Sequence, residues 1–150
     1  MISLICEKYN ITNYTINDDG SIDVNGDVFL SSHGLTELPI RFNRVDGNFY
    51  CGNNNLTSLK GCPRWISGDF GCQYNRLSNL EFSPEYVGGW FSCIFNKNFI
   101  DNYCDTEIGS YFYTSLKQDG LIFSGGITAI NYNEWRKLYK RKKILDKLFI

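Results

Sequence analysis

The chain has 150 residues, of which 43% are hydrophobic and 16% aromatic, and its formal net charge at pH 7 is −1. This length accommodates one domain with a modest core, and the composition excludes a low-complexity or disordered chain. The charge is unevenly distributed. Residues 133–150 hold seven of the 15 basic and two of the 16 acidic residues, which gives a net +5 there and −6 over residues 1–132. The acidic part and the basic end of the chain should each attract partners of opposite charge.

The first 25 residues predict an N-terminal β-hairpin and no targeting signal. The opening MISLICEKYN has no basic start and only a short apolar stretch, and no segment reaches the roughly 20 apolar residues of a membrane span. We therefore expect a cytoplasmic protein whose six cysteines are thiols. Residues 11–24 alternate as two strands around an Asp-Asp-Gly turn, which predicts a hairpin that caps the following repeats.

Residues 26–99 contain a repeat of 21 residues. A glycine recurs at positions 26, 47, 68 and 89, and several columns align behind it. The second and fourth positions after each glycine are apolar, which predicts a short strand with one buried face, and leucines follow at the ninth and twelfth positions. One coil cannot bury its own apolar face, so successive coils should stack. The aligned columns are Val28, Phe49, Phe70 and Phe91; Leu30, Cys51, Cys72 and Cys93; Leu35, Leu56 and Leu77; Leu38, Leu59 and Leu80; and Val45, Ile66 and Val87.

The segment from Phe49 to Leu59, Phe-x-Cys-x-x-Asn-x-Leu-x-x-Leu, resembles the core of leucine-rich repeats, and the next coil repeats it. The short period and the Leu38-Pro39 ending are similar to the compact bacterial class. The amino-acid sequences of the repeats are also similar to those of small repeat proteins encoded by bacteriophages and prophages. The resemblance implies a short parallel β-solenoid, α+β but mainly β, with an internal ladder of polar side chains bonded to backbone. The ladder column is His33, Asn54, Asn75 and Asn96.

The remaining strand positions should face outward and are rich in aromatic and polar residues. Aromatic side chains on a rigid surface are typical of protein-binding hot spots. The leading hypothesis is therefore a non-enzymatic protein-interaction module, and the phage-like resemblance suggests an inhibitor of a host defence protein or another host protein in the host cytoplasm. The candidate contact residues are Asp27, Phe29, Asn48, Tyr50, Asp69, Gln73 and Trp90.

Residues 100–150 should form a C-terminal cap. We expect a helix over 105–118, a hairpin around 125–126 and a helix over 133–149 whose apolar stripe includes Leu145 and Leu148. The last helix is a cap with solvated charges, a helix that binds at a membrane surface, or a surface for nucleic acid or an acidic partner. The basic residues of this alternative are Arg136, Lys137, Lys140, Arg141 and Lys143.

The sequence contains no pattern for a catalytic, metal or cofactor site. The cysteines at 51, 72 and 93 lack the close pairing of zinc ligands and stand where the repeat family has leucine, so we interpret them as core residues. His33 is the single histidine and falls in the ladder column, which favours a structural role over general-base chemistry. No phosphate loop, nucleophile elbow or calcium loop is present, and we expect no enzyme activity, small-molecule substrate, cofactor or metal.

Overall fold

A computed structural model describes residues 1–96, 106–114, 128–131, 144–145 and 147–148. Within these ranges the protein is mainly β and forms a parallel β-solenoid of about four turns. It begins with a short helix, α1 (Ile2–Lys8), that the sequence analysis did not predict. Cys6 on α1 is buried, and Ile2 and Tyr9 pack against the core.

A β-hairpin follows the helix. Strand β1 (Tyr14–Ile16) pairs antiparallel with β2 (Ile22–Val24). Asp19 Oδ1 accepts hydrogen bonds from both the backbone N–H and the hydroxyl of Ser21, and Gly20 adopts a positive φ of 77°. A short polar side chain that bonds to nearby backbone, next to a glycine with positive φ, fixes this turn locally.

Each turn of the solenoid contributes one strand to each of two parallel sheets. The first sheet contains β4 (Phe42–Val45), β6 (Trp65–Ile66), β8 (Tyr86–Val87) and β10 (Glu107–Ile108), which follow β1 and β2 in that order. We call it sheet A. The second, sheet B, contains β3 (Val28–Phe29), β5 (Phe49–Tyr50), β7 (Phe70–Gly71), β9 (Phe91–Ser92), β11 (Tyr111–Thr114) and β12 (Thr128–Asn131).

The parallel pairs in the middle of both sheets join residues 21 apart in sequence. Phe49 pairs with Phe70 in sheet B, and Val45 pairs with Ile66 in sheet A. The inner face of sheet B is a column of fully buried phenylalanine rings, with centroid separations of 6.1, 4.7 and 5.2 Å. The leucines at positions 56, 59, 77 and 80 close the third side of the core and are buried.

A glycine occupies the corner between the two sheets because the turns come very close there. A Cβ added to Gly47 would lie 2.5 Å from the carbonyl carbon of Gly26, and one on Gly68 would collide with the Asn48 side chain. The central corner glycines are therefore required by close packing between turns. Gly26, in the first turn, also adopts a positive φ of 142°.

The prediction of a helix over 105–118 is wrong, because Glu107–Ile108 and Tyr111–Thr114 within it are strands. β10 pairs parallel with β8, and β11 pairs parallel with β9 through Phe112 and Phe91, so the solenoid register resumes after residue 105. β12 then pairs antiparallel with β11. The second half of the predicted hairpin, GITAINY at 126–132, thus contains a strand, and its first half, GLIF at 120–123, lies outside the described residues.

Candidate functional site

The outward residues beside the corner of sheet B form a hydrogen-bond ladder between turns. Asp27 Oδ1 accepts a bond of 2.7 Å from the backbone N–H of Asn48, and Asn48 Oδ1 accepts one of 2.8 Å from the N–H of Asp69. Asp69 Oδ1 in turn accepts a 2.9 Å bond from the N–H of Trp90. Three of the predicted contact residues therefore have a structural function that the sequence analysis did not assign. We call this row the corner ladder.

Three predicted aromatic residues lie together on the outer face of sheet B. The rings of Phe29 and Tyr50 stack with centroids 5.6 Å apart and an interplanar angle of 22°. The rings of Tyr50 and Trp90 are 5.9 Å apart, although these residues belong to turns that are not adjacent. They meet across Gly71, where a Cβ would lie 3.0 Å from the Tyr50 ring. We call the rings of Phe29, Tyr50 and Trp90 the aromatic row.

The aromatic row is partly accessible, and the negatively charged carboxylates of Asp27 and Asp69 lie beside it. Phe29 is 58% exposed, Tyr50 and Trp90 are partly buried, and Asp27 is exposed beside them. Burial raises the pKa of the Tyr50 hydroxyl, and the nearby carboxylates of Asp69 and Asp27 raise it further. Tyr50 therefore remains a neutral hydroxyl at physiological pH. Since each aspartate uses Oδ1 in the corner ladder, Oδ2 is the oxygen directed to other contacts, and Asp69 Oδ2 lies 3.5 Å from the Tyr50 hydroxyl.

Gln73, the remaining predicted contact residue, lies beside the aromatic row, with its side chain next to Gly52 and Gly71. A Cβ on Gly71 would lie 2.7 Å from Gln73 Oε1, so the amide fills the space left by that glycine. Within the described part of the chain, Gln73 Oε1 is buried and accepts no hydrogen bond. The structure thus brings the seven predicted residues to one face and separates them into a ladder, an aromatic row and a packing amide.

The buried asparagines form a second ladder inside the solenoid. Asn75 Oδ1 accepts a 3.0 Å bond from the N–H of Leu56, and its Nδ2 donates to the carbonyls of Cys51 and Cys72. Asn54 and Asn96 make equivalent bonds one turn away on either side. These bonds satisfy backbone groups where the chain leaves sheet B. We call this row the asparagine ladder.

His33 differs from the asparagines of its column. Its backbone N–H donates to Asn54 Oδ1, while its ring is exposed and packs edge-to-face against Tyr9 with centroids 5.1 Å apart. The ring of His33 therefore packs outside the core. Only the backbone N–H of His33 bonds to the asparagine ladder, and its side chain does not take the place of an asparagine there.

Two further aromatic groups were missed by the sequence analysis. On sheet A, Trp65 stacks on Tyr86 with centroids 5.4 Å apart, and the guanidinium of Arg44 lies 3.7 Å from the Trp65 ring centroid. At the bend after sheet B, Tyr74 stacks on Phe95 beside an open pocket of about 250 Å³. Both pairs are 21 residues apart in sequence, so alignment of the exposed positions would have revealed them.

The cysteines of the repeat lie in the core, and Cys51 and Cys62 are buried thiols. No group of three metal-binding side chains occurs among the residues the structure describes. Burial raises the pKa of Cys51 to about 12 from an ordinary value of 9.0, and it raises the pKa of Cys62 as well. These positions favour the neutral thiol.

This pKa shift predicts a loss of stability in alkali. Up to about pH 8 the thiol of Cys51 is neutral in both states, but at higher pH the unfolded state ionises first, so stability falls until the folded pKa is reached. The thiol should cost about 2 kcal/mol between pH 8 and pH 10.5, since one pH unit corresponds to about 1.4 kcal/mol. Urea unfolding at both pH values should show a smaller loss for Cys51→Ala than for the wild type. Equal losses would contradict the assignment.

The basic residues of the alternative nucleic-acid surface lie outside the described residues, as does most of the predicted helix over 133–149. The described residues 144–145 and 147–148 are helical. Leu145 and Leu148, predicted to lie on its buried stripe, are 52% and 71% exposed. No helix in the described ranges is long and apolar enough to cross a bilayer.

Comparison of the chain with protein-family models, with curated proteins and with solved structures finds no match. The functional interpretation therefore depends on the geometry of the aromatic row and the two ladders.

Proposed function

We propose that this protein is a non-enzymatic binding module that recognises another protein through the outer face of sheet B. The observation that supports this most directly is the aromatic row, in which Phe29, Tyr50 and Trp90 stack on a surface rather than in the core. Large aromatic side chains with few rotatable bonds lose little entropy on binding and provide much contact area.

The scaffold beneath the aromatic row is rigid. The corner ladder bonds each turn to the next at its edge, and the phenylalanine column packs directly below. A surface held in place by hydrogen bonds and packing binds without a large ordering cost. The resemblance of the repeats to phage-encoded proteins favours a host protein as the partner and inhibition of that protein as the outcome, within the host cytoplasm.

The same proposal covers the architecture. We propose that the turns are leucine-rich-type repeats of 21 residues and that the hairpin and the C-terminal region cap the two ends. The register of the central strands, the burial of Cys6 and the packing of Tyr14 against the core support this. No observation on the described residues supports the alternative of nucleic-acid binding.

Substitution in the aromatic row should abolish partner capture. The protein is immobilised, incubated with host-cell lysate, and the retained proteins are identified by mass spectrometry. Tyr50→Ala and Trp90→Ala should each lose the specific partner, because central aromatic contacts at interfaces commonly contribute about 2 kcal/mol or more. Trp65→Ala removes an aromatic residue from sheet A, the other sheet, and is the matched control that should retain the partner. Capture unchanged by both sheet B variants, with folding verified by circular dichroism, would refute the proposed surface.

A further inference from the structure

The outer faces of the two sheets differ in whether the protein itself places a basic side chain against their aromatic rings. On sheet A the protein provides one itself, because the Arg44 guanidinium lies 3.7 Å from the centroid of the Trp65 ring. On sheet B the described outward positions of β3, β5, β7 and β9 and of the corner before them contain no lysine or arginine. They contain the carboxylates of Asp27 and Asp69 instead.

The chemistry of the sheet B face is suited to a positive charge from outside. The faces of aromatic rings attract cations, and guanidinium groups stack on them while bonding to carboxylates in the plane of the fork. Phe29 provides an exposed ring and Asp27 an exposed carboxylate beside it. Asp69 Oδ2 lies 3.5 Å from the Tyr50 hydroxyl, and a carboxylate oxygen has two lone pairs, so it can accept a guanidinium N–H as well. Arg44 on Trp65 shows the same stacking geometry within this fold.

We infer that the aromatic row binds a basic segment of its partner, whose arginines stack on the exposed ring of Phe29 and pair with Asp27 and Asp69. This inference rests on the proposed function and adds the chemistry of the partner. Arginine fits better than lysine because its planar group stacks on a ring and bonds to a carboxylate at the same time. The negative net charge of residues 1–132 attracts such a segment from a distance.

The corner ladder allows a clean test, because Asn48 already shows that an amide can replace a carboxylate in this row. Asp27→Asn and Asp69→Asn each keep the Oδ1 acceptor for the next turn and remove the charge. The double variant Asp27→Asn/Asp69→Asn should therefore fold normally. Asp18→Asn/Glu107→Gln removes the same charge from exposed positions elsewhere and is the matched control.

The measurement is fluorescence anisotropy of a short labelled peptide of alternating arginine and glycine, titrated with the full chain at about 20 mM salt, where charge pairs are weakly screened. We expect the wild type and the control to bind alike, and the double variant and Phe29→Ala to bind roughly tenfold more weakly, as expected for two charge pairs near the surface or one aromatic contact. The matching lysine peptide should bind more weakly than the arginine peptide. Absence of arginine-peptide binding by the wild type, or equal binding by wild type and double variant, would overturn the inference.

Two companion results separate this inference from the proposed function. If lysate capture requires Tyr50 and Trp90 but survives in Asp27→Asn/Asp69→Asn, the binding face stands and arginine recognition fails. If the wild type instead self-associates in sedimentation and the double variant does not, the basic segment is residues 133–150 of a second copy, and recognition of a foreign partner is overturned.

Discussion

Replacing Asn75 with alanine should lower the free energy of unfolding by about 3 kcal/mol, because it leaves the buried N–H of Leu56 without a partner and removes one of the two side-chain bonds to each of the Cys51 and Cys72 carbonyls. Asn75 accepts a hydrogen bond from Leu56 N–H and donates to the carbonyls of Cys51 and Cys72, and its side chain is 3% exposed. Water cannot replace these bonds without opening the solenoid. Urea or guanidinium unfolding followed by circular dichroism measures the change.

The matched control for this variant is Asn55→Ala, which removes the same side chain from a partly exposed position beside the asparagine ladder. It should change the free energy of unfolding by less than about 0.5 kcal/mol. The importance of the asparagine ladder would be refuted if the two variants were equally stable.

Truncating the centre of the phenylalanine column should have a similar or larger effect. Phe70 is fully buried, and its ring centroid lies 4.7 Å from that of Phe91 and 6.1 Å from that of Phe49. Phe70→Ala should lower the free energy of unfolding by about 4 kcal/mol, because apolar contact is lost and the stacked backbones of adjacent turns cannot collapse into the cavity.

Two control variants show whether that loss of stability comes from truncating a buried ring. Phe70→Leu keeps most of the volume and should cost clearly less than Phe70→Ala. Phe82→Ala removes a ring that is 53% exposed and should cost less than about 1 kcal/mol. A loss for Phe70→Ala no larger than that for Phe82→Ala would show that the column is not the centre of the core.

The solenoid was predictable from sequence because each buried column is filled by one kind of residue. Phe49, Phe70 and Phe91 share one column, and the asparagines of the internal ladder share another. Stacking places equivalent residues of successive turns side by side, so a hydrogen bond between turns leaves a spacing signature. The corner ladder has such a signature in Asp27, Asn48 and Asp69, although outward polar residues are more readily interpreted as binding groups.

Other features of the fold could not be predicted from the spacing of residues in the sequence. Sheet A is built from strands as short as two residues, such as Trp65–Ile66, and a period of two cannot be recognised over that length. The turn containing Glu107 and Ile108 lacks the preceding leucine signals, because Asn98 and Asp101 stand in the two leucine columns, although Phe112 restores the core ring. The contact between Tyr50 and Trp90 depends on a missing side chain at Gly71, so it becomes visible in three dimensions only.

Construction from stacked turns gives the aromatic row an adjustable length. Each turn adds about 4.8 Å along the solenoid axis and contacts mainly its neighbours. Duplication of residues 47–67 would place a second tyrosine between Tyr50 and Gly71 and lengthen the row by one ring. Duplication of residues 68–88 would add a second glycine and separate Tyr50 from Trp90. Gain or loss of whole turns can therefore change the length of the proposed binding surface while the fold stays the same.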